Sequence, residues 1–102
     1  MEEIDLARPD ENHFTAGFTD EERFWGRKFL EAGFTDTYRF IHGDKVQYSW
    51  WSYRAGARAR NVGWRIDYFL VSSKISKHVK KAFILDKVTG SDHCPIGIEL
   101  DI

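Results

Sequence analysis

Three residues of the sequence have the chemistry of a catalytic site. Asp67 lies in WRIDYFLV, the most apolar run of the chain, where a buried carboxylate needs a partner because desolvating an unpaired charge costs several kcal/mol. Asp92 and His93 lie in the loop sequence GSDHCP. A carboxylate offers hard oxygen to Mg²⁺, and an imidazole can donate to a phosphoryl oxygen or pair with a second carboxylate. The pattern therefore fits a site that holds a metal and a phosphate, with Asp67 orienting the histidine.

A simpler interpretation stays open for each of these residues. Asp67 can be satisfied by the backbone or by Arg65. Asp92 can be a turn former or a helix cap, and His93 a loop residue whose hydrogen bonds are satisfied. The neighbouring Cys94 does not predict a zinc site, since the chain has 1 Cys and no second Cys/His pair.

An arginine-rich loop between aromatic segments is the second candidate site. Residues 1–50 carry 6 Lys and Arg against 11 Asp and Glu, a net charge of −5, whereas residues 51–102 carry 9 against 5, a net charge of +4. Aromatic faces bind bases or sugars and guanidinium groups bind phosphates, so the mixture is typical of a nucleic-acid surface. The alternative is a solvated loop whose neighbouring rings pack in the core. We expect some of these rings to lie at the surface and others in the core. The residues concerned are Trp50, Trp51, Tyr53, Arg54, Arg58, Arg60, Trp64, Arg65 and Tyr68.

The composition indicates that these residues belong to a folded protein. Of 102 residues, 42% are hydrophobic, 16% aromatic and 30% charged, with 2 Pro, which excludes a disordered chain. A domain of this size buries only about two-thirds of the surface of its unfolded chain, so 8 Phe, 4 Trp and 4 Tyr exceed what one small core hides. We expect some of these rings to face a partner or a ligand.

The sequence carries no sign of secretion or of a membrane segment. Its single cysteine cannot form an internal disulfide, and no basic segment followed by a small-residue cleavage site opens the chain. No apolar run approaches the ~20 residues that cross a bilayer. We therefore expect a cytoplasmic protein with no membrane partner.

One helix and several strands are predicted to position the two candidate sites. Thr19, with Glu22 three residues later, is a capping box that opens a helix, and Gly33 closes it. Trp25 and Phe29 share a face of this helix with the following leucine. The other assignments are an extended surface segment at 1–18, a mixed segment at 34–41, strands at 46–53, 64–71 (buried on both faces), 82–88 and 96–102, a loop at 55–63, and a short helix at 73–81.

Three segments closely resemble the exonuclease III family. They are AGFTDEER (Ala16–Arg23), YSWWSYRAGARARNVGWRIDYFLVS (Tyr48–Ser72) and GSDHCPIGIEL (Gly90–Leu100). Members of this family are Mg²⁺-dependent apurinic/apyrimidinic endonucleases of base-excision repair, within the endonuclease/exonuclease/phosphatase superfamily. The resemblance implies an α+β fold, the C-terminal portion of a four-layer αββα sandwich, with mostly antiparallel strands, one clear helix and one short helix.

The resemblance also implies roles for single residues. Asp67 and His93 match a hydrogen-bonded catalytic pair at the scissile phosphate, and Asp92 matches a carboxylate of the metal site. Mg²⁺ is the implied cofactor, with Mn²⁺ as an alternative and weak or absent binding in the isolated chain. The other assignments are a pocket for a flipped-out abasic sugar at Trp50, Trp64 and Ile66, and DNA contacts at Asn12, Thr15, Arg54, Arg58 and Arg60, of which Arg54 inserts into the DNA and Thr15 stands where relatives often carry Asn.

The remaining residues of the family site are not in this sequence. In the family a metal-binding Glu, a catalytic Tyr, and the Asp and Asn of a GDxN motif lie upstream. We therefore expect residues 1–102 to be the C-terminal part of a single domain whose N-terminal part is absent, and the isolated chain to be inactive or nearly so, because the general base and a main metal ligand are missing. The implied partners are double-stranded DNA with abasic sites or 3′ ends, and either the N-terminal half or a self-associated copy.

Two other functions stay open at this point. A stand-alone DNA-binding module would use the arginine loop without cleaving, and its affinity would fall with salt. A folding fragment that exposes sheet edges and an apolar inner face would self-associate. The sequence does not rank these two alternatives.

Overall fold

Residues 1–12, 15 and 17–101, which the computed structural model describes, form small antiparallel sheets flanked by helices. The strands pair β1 with β4, β2 with β3 and β5 with β6, so the predicted α+β class with antiparallel strands is confirmed. In this part of the chain no helix is both long and apolar enough to span a bilayer. The elements are α1 (Asp20–Glu31), β1 (Phe34–Asp36), α2 (Thr37–His42), β2 (Trp50–Trp51), β3 (Gly63–Trp64), β4 (Leu70–Ser72), β5 (Val79–Ile84) and β6 (Ile96–Leu100), with short 3₁₀ helices at Glu3–Asp5, Pro9–Glu11, Arg54–Gly56 and Ser73–His78.

The start of α1 is the one predicted from the sequence. Thr19 Oγ1 accepts a hydrogen bond from the Glu22 amide at 3.2 Å. The Glu22 carboxylate in turn accepts from the Gly17 amide at 2.8 Å and from the Thr19 hydroxyl at 2.9 Å. These donors, the Gly17 amide first, lower the pKa of Glu22. The helix ends before Gly33, whose φ of 103° is the left-handed conformation that glycine adopts without a Cβ penalty.

The apolar face of α1 is exposed. None of the twelve residues of α1 is buried, and Trp25 and Phe29 are 58% and 56% exposed. Phe29 makes an edge contact with Phe34 of β1, with ring centroids 6.1 Å apart. The face also includes Leu30 and Leu70, which line a cavity of about 200 Å³ between α1 and β4. The name α1–β1 face is used below for these five residues: Trp25, Phe29, Leu30, Phe34 and Leu70.

The two long strands predicted around the arginine loop are much shorter in the structure. Of 46–53 only β2 is a strand, and 64–71 is divided between β3 and β4, so a continuous strand buried on both faces was wrong. The backbone between β3 and β4 bonds to several different partners instead of one ladder. The Arg65 amide donates to Asp5 O, and the amides of Ile66 and Asp67 both donate to Ser49 Oγ.

The C-terminal helix and strands are present, with bounds that differ from the prediction. The predicted helix at 73–81 is a 3₁₀ helix that ends at His78, and β5 begins at Val79 rather than at residue 82. The last residues of the predicted strand 82–88 form a turn, closed by a bond from the Val88 amide to Leu85 O. Strand β6 covers Ile96–Leu100, and Ile102 lies outside the described residues.

The N-terminal segment is not the purely surface segment that was predicted. Asp5 is 2% exposed and accepts from Arg65 Nε at 2.7 Å and from Arg39 at 2.6 Å. Arg65 also bonds both carboxylate oxygens of Asp36. The Arg65 guanidinium also lies 4.6 Å from the ring centroid of Tyr68. The ion pairs of Asp5, Arg39, Arg65 and Asp36 therefore attach the N-terminal segment to the rest of the structure. Arg65 therefore does not belong to the exposed basic loop.

The core lies around α2 and the β5–β6 sheet. Asp36 caps α2, a helix missed in the mixed segment 34–41, by accepting from the Arg39 amide. Trp51 is 4% exposed, as expected for a ring of the interior. The buried cluster comprises Tyr38, Tyr48, Trp51, Ala57, Ala82, Ile84 and Cys94.

Candidate active site

Asp67 and His93 lie within hydrogen-bond distance of each other. His93 Nδ1 is 2.8 Å from Asp67 Oδ2, and both side chains are partly exposed, 43% and 34% respectively. The simpler interpretation, in which Asp67 is a buried carboxylate satisfied by the backbone or by Arg65, is therefore wrong. Asp67 is partly exposed, and its carboxylate is hydrogen-bonded to His93. This geometry lets the imidazole donate its Nδ1 proton to the carboxylate and leaves Nε2 for another partner.

Ser49 positions both members of the pair. Its Oγ accepts from the amides of Ile66 and Asp67 at 3.2 Å each, which fixes the backbone under the carboxylate. Its carbonyl accepts from the Cys94 amide at 2.8 Å, next to His93. Sequence reasoning missed Ser49. The one available signal is a small hydroxyl residue within a run of aromatic residues, YSWW.

Asp92 is held as an anion beside the pair. Its Oδ2 accepts from the indole N–H of Trp50 at 3.1 Å, and its Oδ1 lies 3.3 Å from the Ser91 hydroxyl. The hydrogen bond from Trp50 is the main reason why the pKa of Asp92 is below its ordinary value. The family resemblance implied a pocket role for Trp50, and the structure adds its hydrogen bond to the Asp92 carboxylate.

The donor set fits part of a divalent-metal site. Asp92 supplies a partly exposed anionic carboxylate, a ligand that Mg²⁺ accepts while it keeps several waters. Among residues 1–12, 15 and 17–101 there is no group of three or more His, Cys, Asp or Glu that could hold a metal ion. A complete site therefore needs ligands in addition to those that this part of the chain brings together.

A cavity of about 430 Å³ is lined by all three predicted pocket residues. Trp50, Trp64 and Ile66 line it together with Tyr68. The rings of Trp50 and Trp64 meet edge to face with centroids 6.0 Å apart. Since Trp50 also bonds Asp92, one indole connects the cavity to the acidic residue.

Two of the predicted DNA contacts lie on the rim of this cavity or close to it. Thr15 lines the cavity, and its hydroxyl donates to Asn12 Oδ1 at 3.0 Å. Asn12 Nδ2 donates to Arg8 O at 2.6 Å. The two residues thus belong to one hydrogen-bonded turn, and their contact with DNA stays a prediction.

The arginine loop, residues 54–61, is mostly exposed. It begins with the 3₁₀ helix Arg54–Gly56 and ends at Asn61, whose φ is 53°. Arg54 and Arg60 are exposed, as a DNA-contacting role requires. Arg58 is half-buried instead, and its guanidinium donates to backbone carbonyls of residues 86–91. No pattern in the sequence indicates this intramolecular role.

Comparison with known proteins places these features in a family. The family model for the endonuclease/exonuclease/phosphatase family matches residues 5–93. The chain is 52% identical to an exodeoxyribonuclease of Bacillus subtilis over 102 residues, which are 99% of this chain and 40% of that protein. It is 49% identical to a DNA-(apurinic or apyrimidinic site) endonuclease of Dictyostelium discoideum, covering 98% of this chain and 28% of that protein.

Solved structures agree with the sequence relatives. An AP endonuclease from Archaeoglobus fulgidus superposes with a TM-score of 0.91 at 31% identity, over 99% of this chain and 41% of that one. A 3′ phosphatase from Neisseria bound to a product DNA hairpin gives a TM-score of 0.90 at 30% identity, with the same coverage. The chain thus spans less than half the length of the relatives it matches. It belongs to the endonuclease/exonuclease/phosphatase family.

Proposed function

We propose that the chain forms the phosphate-binding part of a Mg²⁺-dependent DNA-repair nuclease that cleaves abasic sites and acts at 3′ ends. The observation that carries this proposal is the hydrogen bond between His93 Nδ1 and Asp67 Oδ2. It lies beside an anionic Asp92, next to a cavity lined by two tryptophans. Relatives named as exodeoxyribonuclease and as abasic-site endonuclease support the substrate class.

In this proposal the pair acts on the phosphoryl group. Asp67 accepts a hydrogen bond from His93 Nδ1–H, which orients the ring and stabilises the imidazolium, in which Nε2 also carries a proton. Nε2 then donates to a phosphoryl oxygen and stabilises the charge that develops on it during hydrolysis. Asp67 acts through the histidine, so replacing either residue removes the same contribution.

Asp92 is the proposed metal ligand of this chain. Nucleases of the family generally depend on a divalent metal. A bound Mg²⁺ neutralises phosphate charge and polarises the scissile bond. The indole donor of Trp50 orients the Asp92 carboxylate and keeps it ionised. The proposed DNA contacts are Asn12, Thr15, Arg54 and Arg60, and Trp50, Trp64 and Ile66 form the proposed abasic-sugar pocket.

We further propose that cleavage needs residues beyond those described. The described residues form no group of three or more His, Cys, Asp or Glu that could hold a metal ion. The α1–β1 face is apolar and exposed, as expected for a surface that another part of the family domain covers. The isolated chain is accordingly expected to be inactive or nearly so, and to bind Mg²⁺ weakly.

A chimera tests this proposal. The chain replaces the matched 40% of the Bacillus subtilis exodeoxyribonuclease, and the rest of that protein is kept. We expect Mg²⁺-dependent nicking of a duplex with one abasic site, and loss of nicking with His93→Ala. A folded chimera that does not nick abasic DNA, or that nicks equally well with His93→Ala, would contradict the proposal.

A DNA-binding module without cleavage is the second candidate. The observation in its favour is the exposed arginine loop, in which Arg54 and Arg60 follow Tyr53, a ring that is 79% exposed. It predicts that the isolated chain binds DNA with an affinity that falls as salt rises, and that Arg54→Ala weakens binding. Absence of DNA binding by the isolated chain at low salt excludes this candidate.

A further inference from the structure

Arg58 connects the arginine loop to the segment 86–92. Its Nη2 donates to Asp86 O at 2.9 Å and to Val88 O at 2.8 Å. Its Nη1 donates to Ser91 O at 3.3 Å. One guanidinium therefore binds three backbone carbonyls of a single segment, an arrangement that uses the rigid fork of donors that arginine has and lysine lacks.

The Arg58 guanidinium packs on the ring of a buried tryptophan, Trp51. The Arg58 guanidinium carbon lies 4.5 Å from the ring centroid of Trp51. Trp51 is fixed in turn, since its indole N–H donates to Asn61 Oδ1 at 3.1 Å and its amide donates to Asp92 O at 3.1 Å. An added Cβ at Gly63 would lie 2.5 Å from the indole nitrogen, so only glycine fits there. The support under Arg58 is therefore closely packed.

The segment that Arg58 binds has few contacts with the core. Residues 87–91 are exposed, and Gly90 has a φ of 117°. The segment leads directly into Asp92 and His93. We propose that Arg58 is a positioning residue: it holds segment 86–92 on Trp51 and thereby fixes where Asp92 and His93 stand. The positioning follows from contacts within this chain, whereas its consequence for cleavage rests on the proposed function.

This role differs from that of a phosphate-binding arginine. A phosphate contact needs mainly a positive charge, so lysine partly replaces arginine. A residue that donates to three carbonyls and stacks on an indole needs the planar fork, and lysine does not replace it. The two roles also differ in salt dependence, because only a phosphate contact releases counterions from DNA.

Hydrogen exchange in the isolated chain tests the positioning without DNA, metal or a partner. In Arg58→Lys we expect the amides of Trp51, Val88 and His93, which donate to Asp92 O, Leu85 O and Ser91 Oγ, to exchange about tenfold faster, because the segment loses at least two hydrogen bonds from the guanidinium, while β5 and β6 exchange as in the unaltered chain. Arg54→Lys is the matched control and leaves both sets of amides unchanged. Unaltered exchange of these three amides in both Arg58→Lys and Arg58→Ala would overturn the proposal. If Arg58→Ala unfolds the chain, Arg58→Lys alone decides.

Kinetics of the chimera test the consequence for cleavage. We expect Arg58→Lys to lower kcat for nicking about tenfold or more, with KM and the slope of log KM against log salt unchanged. A variant with raised KM, unchanged kcat and a reduced salt slope would show that Arg58 is a phosphate contact instead. Because the exchange measurement uses the isolated chain, it supports or overturns the positioning even if the chimera never nicks DNA.

Discussion

The candidate active site and the α1–β1 face are organised in opposite ways. Around Asp67 and His93 the chain supplies its own supports: Ser49 fixes the backbone, Trp50 orients Asp92, and the pair is hydrogen-bonded. Across the α1–β1 face, large apolar side chains lie in solvent. The difference indicates that the side chains of the candidate site are positioned by contacts within these residues, whereas the apolar face of α1 lacks such contacts among them.

The largest expected effect is the loss of activity when the Asp67–His93 pair of the candidate active site is broken. In the chimera, His93→Ala and Asp67→Asn should each reduce kcat by about 10²–10⁴, the range of a general acid–base or charge-stabilising group. Because Asp67 acts through His93, the double variant should be little worse than either single one. Additive losses in single-turnover nicking assays would show that the two residues act separately.

The second effect concerns the ion network that attaches the N-terminal segment. Arg65→Ala should destabilise the chain by about 3–5 kcal/mol, because it leaves two carboxylates with one partner fewer in a site where Arg65 and Asp5 are each 2% exposed. Urea unfolding followed by tryptophan fluorescence measures the change. The matched control Arg54→Ala, on the exposed loop, should change stability by less than about 0.5 kcal/mol. A small effect of Arg65→Ala would mean that the segment is held by other contacts.

The third effect tests the exposed face. The isolated chain should self-associate as its concentration rises, and Trp25→Ser with Phe29→Ser should shift it toward monomer, because both rings are more than half exposed. Tyr53→Ser, which removes an exposed ring of the arginine loop, is the control and should not. Sedimentation velocity over a hundredfold dilution measures the change. A dilution-independent monomer of the unaltered chain would contradict the account of this face.

The smallest effect sharpens the description of α1. Thr19→Ala should cost about 1 kcal/mol of stability, the usual value of a helix cap.

The pKa of Glu22 adds a pH dependence to the same cap. Because this pKa is lowered in the folded chain, the contribution of Glu22 to stability is present above the pKa of the unfolded state and is lost as pH falls through the folded value. The stability difference between the unaltered chain and Glu22→Gln should therefore be present at neutral pH and vanish in acid. A difference that persists in acid would exclude this linkage.

The features that the sequence predicted are those encoded by neighbouring residues or by residue type. The cap of α1 depends on Thr19 and Glu22, three positions apart, and was predicted correctly. The pairing of Asp67 with His93 was predicted because a buried carboxylate needs a partner; the pair forms, although Asp67 is partly exposed. Trp50, Trp64 and Ile66 were grouped through the family resemblance, and they line one cavity.

The features that the sequence did not predict depend on tertiary partners. The run 64–71 reads as one buried strand, yet Ser49 and Asp5 take its amide bonds and divide it. Arg65 reads as part of a basic loop, yet two distant carboxylates, Asp5 and Asp36, hold it inside. Arg58 was assigned to DNA on its charge, whereas its contacts depend on the course of segment 86–92.

Single-turnover nicking by the isolated chain and by the chimera, measured side by side, tests whether cleavage needs residues beyond those described. Both are assayed on the same abasic duplex with saturating Mg²⁺. We predict that the chimera nicks the duplex and that the isolated chain is slower by about 10³ or more, because the described residues contain no group of three or more His, Cys, Asp or Glu that could hold the metal ion. Comparable rates for the two proteins would show that these 102 residues contain a complete active site, and would contradict the account.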